Sequence, residues 1–400
     1  MDNKSYILSE TISVRNYKER SAAVVINLYY MDSLDKYIKY IDVIPSHIHI
    51  YIFSSSADIL KYMEGYFNGR DNIFVRKKEN RGRDVSALLV AFREQLLKYD
   101  YLCFLHDKKE KNEFMKDDIE LWIKDLWDNM IKSSEYISNI LDLLDKENIG
   151  LLVPPKPMGY YVDTWYTDPW KQSFEVTLNL AQKLKIRNKV NWDDADMVTI
   201  GTVFWCKTKA LGKLFEYGWK YTDFPEEPMP NDATVSHAIE RILGYVAVDA
   251  GYEVGTVMCS GYASDLIEMS QTKLKDTYDW LWKNEGIKNS YQLKMFDEEK
   301  KSVDRMFAEC DRVFLYGAGH FAKAYLERLS IWGYKPYAFV VSDGRRECDT
   351  YWGYKVYELR EIGSDGNFGF ILCTNPDLQQ ELADYLETRE YFNYCKATVV

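Results

Sequence analysis

Between residues 22 and 105 the chain alternates short apolar runs with amphipathic stripes, the pattern of a strand–helix repeat. Residues 22–30 read as a buried strand, after which Leu34, Tyr37, Ile38 and Ile41 fall at i, i+3, i+4 and i+7 of a helix. Residues 47–53 form a second strand, followed by a helix over 59–67. A third strand at 72–76, a helix over 85–97 and a fourth strand at 101–105 complete the series. A β-α-β-α-β-α-β order predicts an α/β domain with a doubly wound parallel sheet and helices on both faces.

The middle of the chain is less regular. Residues 117–144 carry a helical apolar stripe (Ile119, Trp122, Ile123, Leu126, Met130), 149–155 form a strand stopped by prolines, and 156–170 read as an aromatic-rich loop. A further strand is expected at 198–206, with helices over 209–217 and 234–244. The α/β pattern restarts at Arg312 with a strand over 312–316 and a helix that Gly317-Ala318-Gly319 opens. Strands at 336–341 and 368–372, a helix at 378–385 and a strand at 396–400 follow. The expected organisation is a lead-in at 1–20, a first α/β domain at 21–270, a polar helical connector at 271–305, and a small Rossmann-like α/β domain at 306–400.

Composition narrows the class. Four hundred residues accommodate two domains. A net charge of −11 argues against nucleic acid as a partner, which calls for a basic face. It also argues against adhesion to anionic lipid by charge alone, though a local basic patch would still permit peripheral association with a membrane. The first residues lack the apolar core of a signal peptide, and no apolar run reaches bilayer-spanning length. Seven cysteines without a C-x-x-C pair, several in apolar runs such as those of Cys103 and Cys373, read as reduced and buried. A cytoplasmic enzyme is the simplest class.

Candidate chemistry gathers in three segments. The fourth strand runs directly into His106, Asp107, Lys108 and Lys109, and the carboxyl end of such a strand is where ligands bind. A metal-using nucleotide-sugar transferase would set a pair of acids there. The mostly positive charge instead suits a protein that meets a diphosphate with its own cations. Asp107 alone is a poor metal site, so dependence on a divalent metal, Mg²⁺ or Mn²⁺, is left open. Asn80-Arg81-Gly82-Arg83-Asp84 forms a turn in which glycine allows close approach, the guanidinium groups could hold phosphates, and Asp84 could cap the next helix. An ordinary charged turn would look the same. Tyr29, ending the first strand, joins this donor-binding set. In the third segment Glu227 and Asp232 precede a helix on which His237 and Arg241 share a face. Asp232, then Glu227, then His237 are the candidates for a general base, with helix capping the competing role for both acids. Trp165, Trp205 and Arg241 are candidates for acceptor binding, with core packing the preferred expectation for Trp205.

Taken together, Asn80–Asp84, the strand into His106-x-Lys108-Lys109, Gly201-Thr-Val-Phe-Trp205 and Glu227-Pro…Asp232…His237-Ala-Ile-Glu240-Arg241 resemble the rhamnan synthesis protein F family, in order and spacing across roughly residues 20–265. The resemblance implies a GT-A-like fold with a nucleotide-binding half and an acceptor half. It also implies transfer of rhamnose from dTDP-rhamnose to a lipid-linked or growing cell-surface polysaccharide. A non-catalytic scaffold that binds nucleotide sugar or glycan is the alternative. Outside the resemblance, Gly317-x-Gly319-x-x-Ala322 with Asp343 has the context of a dinucleotide site, yet a structural or acceptor-positioning role is the preferred expectation there.

Overall fold

A computed structural model describes residues 4–13, 21–109, 116–156, 169–192, 198–285, 290–363 and 366–398. The chain divides into two compact units, Met1–Met269 and Ser270–Val400.

The first unit is built on eight strands: β1 (Lys4–Leu8), β2 (Ala22–Asn27), β3 (His49–Ser54), β4 (Ile73–Lys77), β5 (Tyr101–His106), β6 (Ile149–Val153), β7 (Phe204–Lys207) and β8 (Glu253–Cys259). They form one sheet in the order β1-β8-β6-β7-β5-β2-β3-β4. β5, β2, β3 and β4 are mutually parallel, as the alternation predicts. β7 runs antiparallel to both neighbours, with Trp205 opposite Cys103 and Leu152, so the sheet is mixed rather than wholly parallel. The lead-in is not irregular throughout: β1 pairs in parallel with β8 from Lys4↔Gly255 to Leu8↔Cys259.

Strand alternation sends side chains to two apolar layers. Ala22, Val24 and Ile26 face a core shared with helices Leu34–Asp42, Ala57–Tyr66, Lys116–Ile131 and Ser134–Lys146. Ala23 and Val25 face a second core shared with residues 85–96 and helices Phe174–Lys183 and Val235–Asp249. Both faces are thus covered, as a sheet this apolar requires. Leu34, Tyr37, Ile38 and Ile41 are all buried, so the spacing read from sequence is the spacing that packs. The expected helix over 85–97 is broken instead into a wide turn, in which Phe92 N–H donates to the Ala87 carbonyl at 2.9 Å, and a short helix Arg93–Leu96. Wide turns of this kind are frequent at functional sites.

The connections after β2 and β3 pack in the first layer and the one after β4 in the second. The order in which strands join the sheet therefore reverses at β2, with β5 added on the side away from β3, and the crevice at the carboxyl ends of β2 and β5 is where an open α/β sheet takes its ligand.

The second unit carries β9 (Arg312–Tyr316), β10 (Ala338–Val341), β11 (Thr350–Tyr351), β12 (Tyr354–Glu358), β13 (Phe368–Leu372) and β14 (Tyr394–Lys396) in the order β11-β12-β10-β9-β13-β14. All pairs are parallel except β11 with β12. The stretch read as a connector is helical, but helix Ser290–Glu309 is part of this unit: Val303 and Met306 are buried in its core. Among the described residues no helix is long and apolar enough to cross a membrane. All seven cysteines are free, and Cys103 and Cys373 are buried.

Candidate functional site

The tip of β5 is buried. Asp107 turns back toward β2, and its Oδ2 accepts the backbone N–H groups of Tyr29 and Tyr30, each at 2.7 Å. Its Oδ1 is buried with no hydrogen-bond partner. Burial pushes the Asp107 carboxyl up to about 6, against the opposing pull of the two amides. The ring of Tyr29 stays exposed at the rim, edge-on to Tyr30.

His106 is equally buried and does not face outward as a cation for ligand. Its Nδ1 lies 2.9 Å from the Asp107 carbonyl and its Nε2 2.8 Å from the Gly201 carbonyl. The same Nε2 stands 3.4 Å from Asp84 Oδ2, an oxygen that is buried without a hydrogen bond. Asp84 therefore faces His106 instead of capping the helix expected after it. Gly201 continues the chain of contacts: its N–H donates to Glu240 Oε1 at 2.6 Å, and Arg241 lies 3.0 Å from the same oxygen. Burial alone would raise the Glu240 carboxyl, but Arg241, Lys108 and the Gly201 N–H hold it below its ordinary value.

The turn at Asn80–Asp84 is held by a second loop, not poised for phosphate. Arg81 Nε donates to the Phe224 carbonyl at 2.7 Å, and its guanidinium sits 3.4 Å from Glu226. Arg83, in the left-handed region at φ 45°, donates to the carbonyls of Met229 and Pro230, both at 3.3 Å. Gly82 is required, because a Cβ there would come within 2.6 Å of the Phe224 ring. Asn80 is exposed beside them.

The three candidates for a general base meet different surroundings in the second half of the site. Asp232 is locked: it accepts from Gln172 N–H at 3.0 Å, from Ala233 N–H at 2.8 Å and from the Ser173 hydroxyl. Burial would raise its carboxyl, yet these donors hold it below the ordinary range, which makes it a weak proton acceptor. Glu227 is exposed, with only Oε2 engaged by Met229 N–H at 3.1 Å. His237 accepts the Thr234 N–H on Nδ1 at 3.4 Å, so its neutral ring carries the proton on Nε2 and acts as a donor. Burial pushes its pKa down.

The acceptor-binding candidates fare differently. Trp205 is fully buried, its indole N–H donating to Met130, so it is core rather than a stacking platform. Arg241 is also buried and braces the Pro169 carbonyl at 2.8 Å. Trp165 lies outside the described residues.

Sequence reading passed over Lys78, buried at the end of β4. Its ammonium donates to the Glu79 carbonyl at 2.8 Å, and burial pushes its pKa down to about 8 despite the fields of Asp84 and Glu227. It sits inside the run Arg76-Lys77-Lys78-Glu79, which has the look of a solvated edge. Lys108 lies over the Trp122 ring at 4.7 Å, half-buried, while Lys109 is exposed and paired with Asp32.

The four segments that carry the family resemblance are therefore joined through direct contacts. The sequence profile described as rhamnan synthesis protein F matches residues 2–252. The chain belongs to that family. Two relatives described as uncharacterized protein WxcX, from two strains of Xanthomonas campestris pv. campestris, are each 23% identical over 239 residues. That stretch covers 59% of this chain and 33% of theirs, so the chain spans about a third of the relatives it matches. The match ends before Ser270, where the second unit begins.

In the second unit, Gly317 takes φ +119° at the end of β9, where a Cβ would meet the Cys373 carbonyl at 2.7 Å. Asp343 is not free for a ribose: it accepts from Arg360 N–H at 2.7 Å, from Tyr385 hydroxyl at 3.2 Å and from Arg389 at 3.0 Å. Gly319 precedes helix His320–Ile331.

Proposed function

We propose that the first unit is a GT-A-like glycosyltransferase that moves a sugar, rhamnose from dTDP-rhamnose, onto a lipid-linked or growing polysaccharide with inversion. The observation that carries the reading is the continuous contact chain Asp84–His106–Gly201–Glu240–Arg241 at the crevice between β2 and β5. It fixes the four family segments around one opening, and a fixed frame is what a transfer between two bound substrates requires.

In this reading the diphosphate lies against Lys108 and Lys109, and the nucleoside against Tyr29. As the bond from the anomeric carbon to the phosphate oxygen breaks, its electron pair stays on the diphosphate, where preorganised cations lower the barrier. The acceptor hydroxyl attacks from the opposite face and gives its proton to Glu227. Glu227 takes this part because the Asp232 carboxylate is already saturated and His237 presents an N–H. Asp84, His106 and Glu240 frame the site without touching substrate. A divalent ion in this site would rest on Asp107 and the substrate's own phosphates, since among the described residues no group of three or more His, Cys, Asp or Glu is arranged to hold one. The work would take place at the cytoplasmic face of a membrane.

The test is to incubate the protein with a panel of nucleotide sugars and a rhamnan-type acceptor and to follow the acceptor's mass. Gain of one deoxyhexose from dTDP-rhamnose, abolished by Glu227→Gln, supports the proposal. Tight donor binding with no transfer from any donor would favour the scaffold instead.

A further inference from the structure

We propose that Trp192 is a stacking platform for a sugar ring of a glycan, a side chain that sequence reading did not single out. That the glycan is the acceptor rests on the transferase reading, whereas carbohydrate binding itself does not.

Trp192 is 50% exposed, on an irregular stretch that follows helix Phe174–Lys183. The stretch is pinned at both ends. Arg187 donates its backbone N–H at 2.7 Å and its Nε at 3.1 Å to Asp249 Oδ1, and Asp249 is buried at the end of helix Val235–Asp249. Five residues on, the indole N–H of the fully buried Trp170 donates to the Trp192 carbonyl at 2.9 Å. Phe174 makes T-shaped contacts with both indoles, 5.1 Å from Trp192 and 5.0 Å from Trp170. An exposed ring on so fixed a backbone has little freedom left to lose when a ligand settles on it.

The same short segment ties Trp192 to the candidate site. Gln172 N–H and the Ser173 hydroxyl are the donors that hold Asp232, and the Pro169 carbonyl accepts from Arg241. Through Trp170 and Phe174 the exposed indole is therefore linked to the part of the frame that carries Asp232 and Glu227, not to the tip of β5.

The surroundings select a sugar. Among the described residues from 169 to 258, Trp192 and Tyr217 alone expose a large apolar side chain. The indole is not part of an extended apolar patch there, as docking on a protein or a lipid surface would call for. Its exposed neighbours in sequence, Asn188, Lys189 and Asn191, are polar. One aromatic ring in a polar setting matches a pyranose, which gathers C–H groups on a face and carries hydroxyls at its rim.

Calorimetric titration with a rhamnose trisaccharide, beside transfer kinetics with that trisaccharide as acceptor and dTDP-rhamnose as donor, tests the platform. Wild-type protein is expected to bind the trisaccharide. Trp192→Ala should weaken that binding and raise the acceptor KM roughly three- to tenfold, the worth of one stacked ring, with the donor KM unchanged. Trp192→Phe keeps a ring and should recover most of the loss. A wild type that binds no trisaccharide overturns the platform, and so does unchanged binding in Trp192→Ala, even if the protein transfers sugar. A loss that falls equally on the donor KM also overturns it, since it marks a residue that only holds the fold. Trisaccharide binding that depends on Trp192, in a protein that transfers nothing, keeps the platform and discards the transferase.

Discussion

The two units place comparable turns at comparable positions, and they finish them differently. In the first, the strand β5 ends in groups whose hydrogen bonding is incomplete. Asp107 Oδ1 and Asp84 Oδ2 are buried without hydrogen-bond partners, Lys78 is buried under a depressed pKa, and Lys108, over the Trp122 ring, makes no ion pair among the described residues. In the second, the acid after β10 is complete: Arg360 N–H, Tyr385 and Arg389 together occupy both oxygens of Asp343. Strand order alone marks both places as ligand crevices. Polar satisfaction separates them, because a buried group left unsatisfied costs stability and persists where function uses it.

Removing the hub of the first site should have the largest effect. His106→Ala cuts the link to Gly201 and removes the ring that stands beside the buried Asp84 Oδ2. Sugar transfer is expected to fall roughly 100-fold, the scale of a small misplacement of reacting groups, and chemical denaturation should report a loss of roughly 2–4 kcal/mol.

Lys78 should reveal itself by pH. The unfolded side chain holds its proton to about 10.5 and the folded one only to about 8. Between those values the unfolded state binds more protons, so stability rises with pH across the window, by about 3 kcal/mol in full. Lys78→Met should flatten that rise in denaturant midpoints measured from pH 7.5 to 10.5.

Asp107 has the opposite sign. Its folded pKa, raised to about 6 by burial, lies above the unfolded value. Its stabilising contribution is therefore complete at low pH and lost as pH climbs through 6. Asp107→Asn should gain on wild type by about 2 kcal/mol between pH 4 and 7.5, read from paired melting curves.

The smallest effect belongs to the satisfied acid. Asp343→Ala should lower Tm by a few degrees at most and leave sugar transfer at the wild-type rate. A loss of transfer there would erase the contrast between the units.

The fold was legible where apolar period and layer agree. Residues 22–105 announce themselves because β2 and β3 are buried on both faces and the helix at Leu34–Asp42 carries its stripe unbroken. β1 escaped notice because it is a half-exposed edge strand whose partner lies some 250 residues away. Helix Phe174–Lys183 escaped because it buries only Thr177, Leu180 and Ala181.

For the site, sequence gave the segments and missed their partners. Arg81 and Arg83 have the composition of phosphate ligands, yet their acceptors are carbonyls more than 140 positions on, a pairing invisible to local pattern. Asp232 resembled a base because nothing nearby in sequence announces Gln172 and Ser173 as its donors. Lys78 hid in a charged run that only the tertiary fold buries.

Hydrogen exchange with and without dTDP compares the two crevices in one experiment. The account expects slowed exchange at residues 28–33 and 106–109, with 317–320 unaffected. Protection confined to 317–320 would move the nucleotide site to the second unit and contradict it.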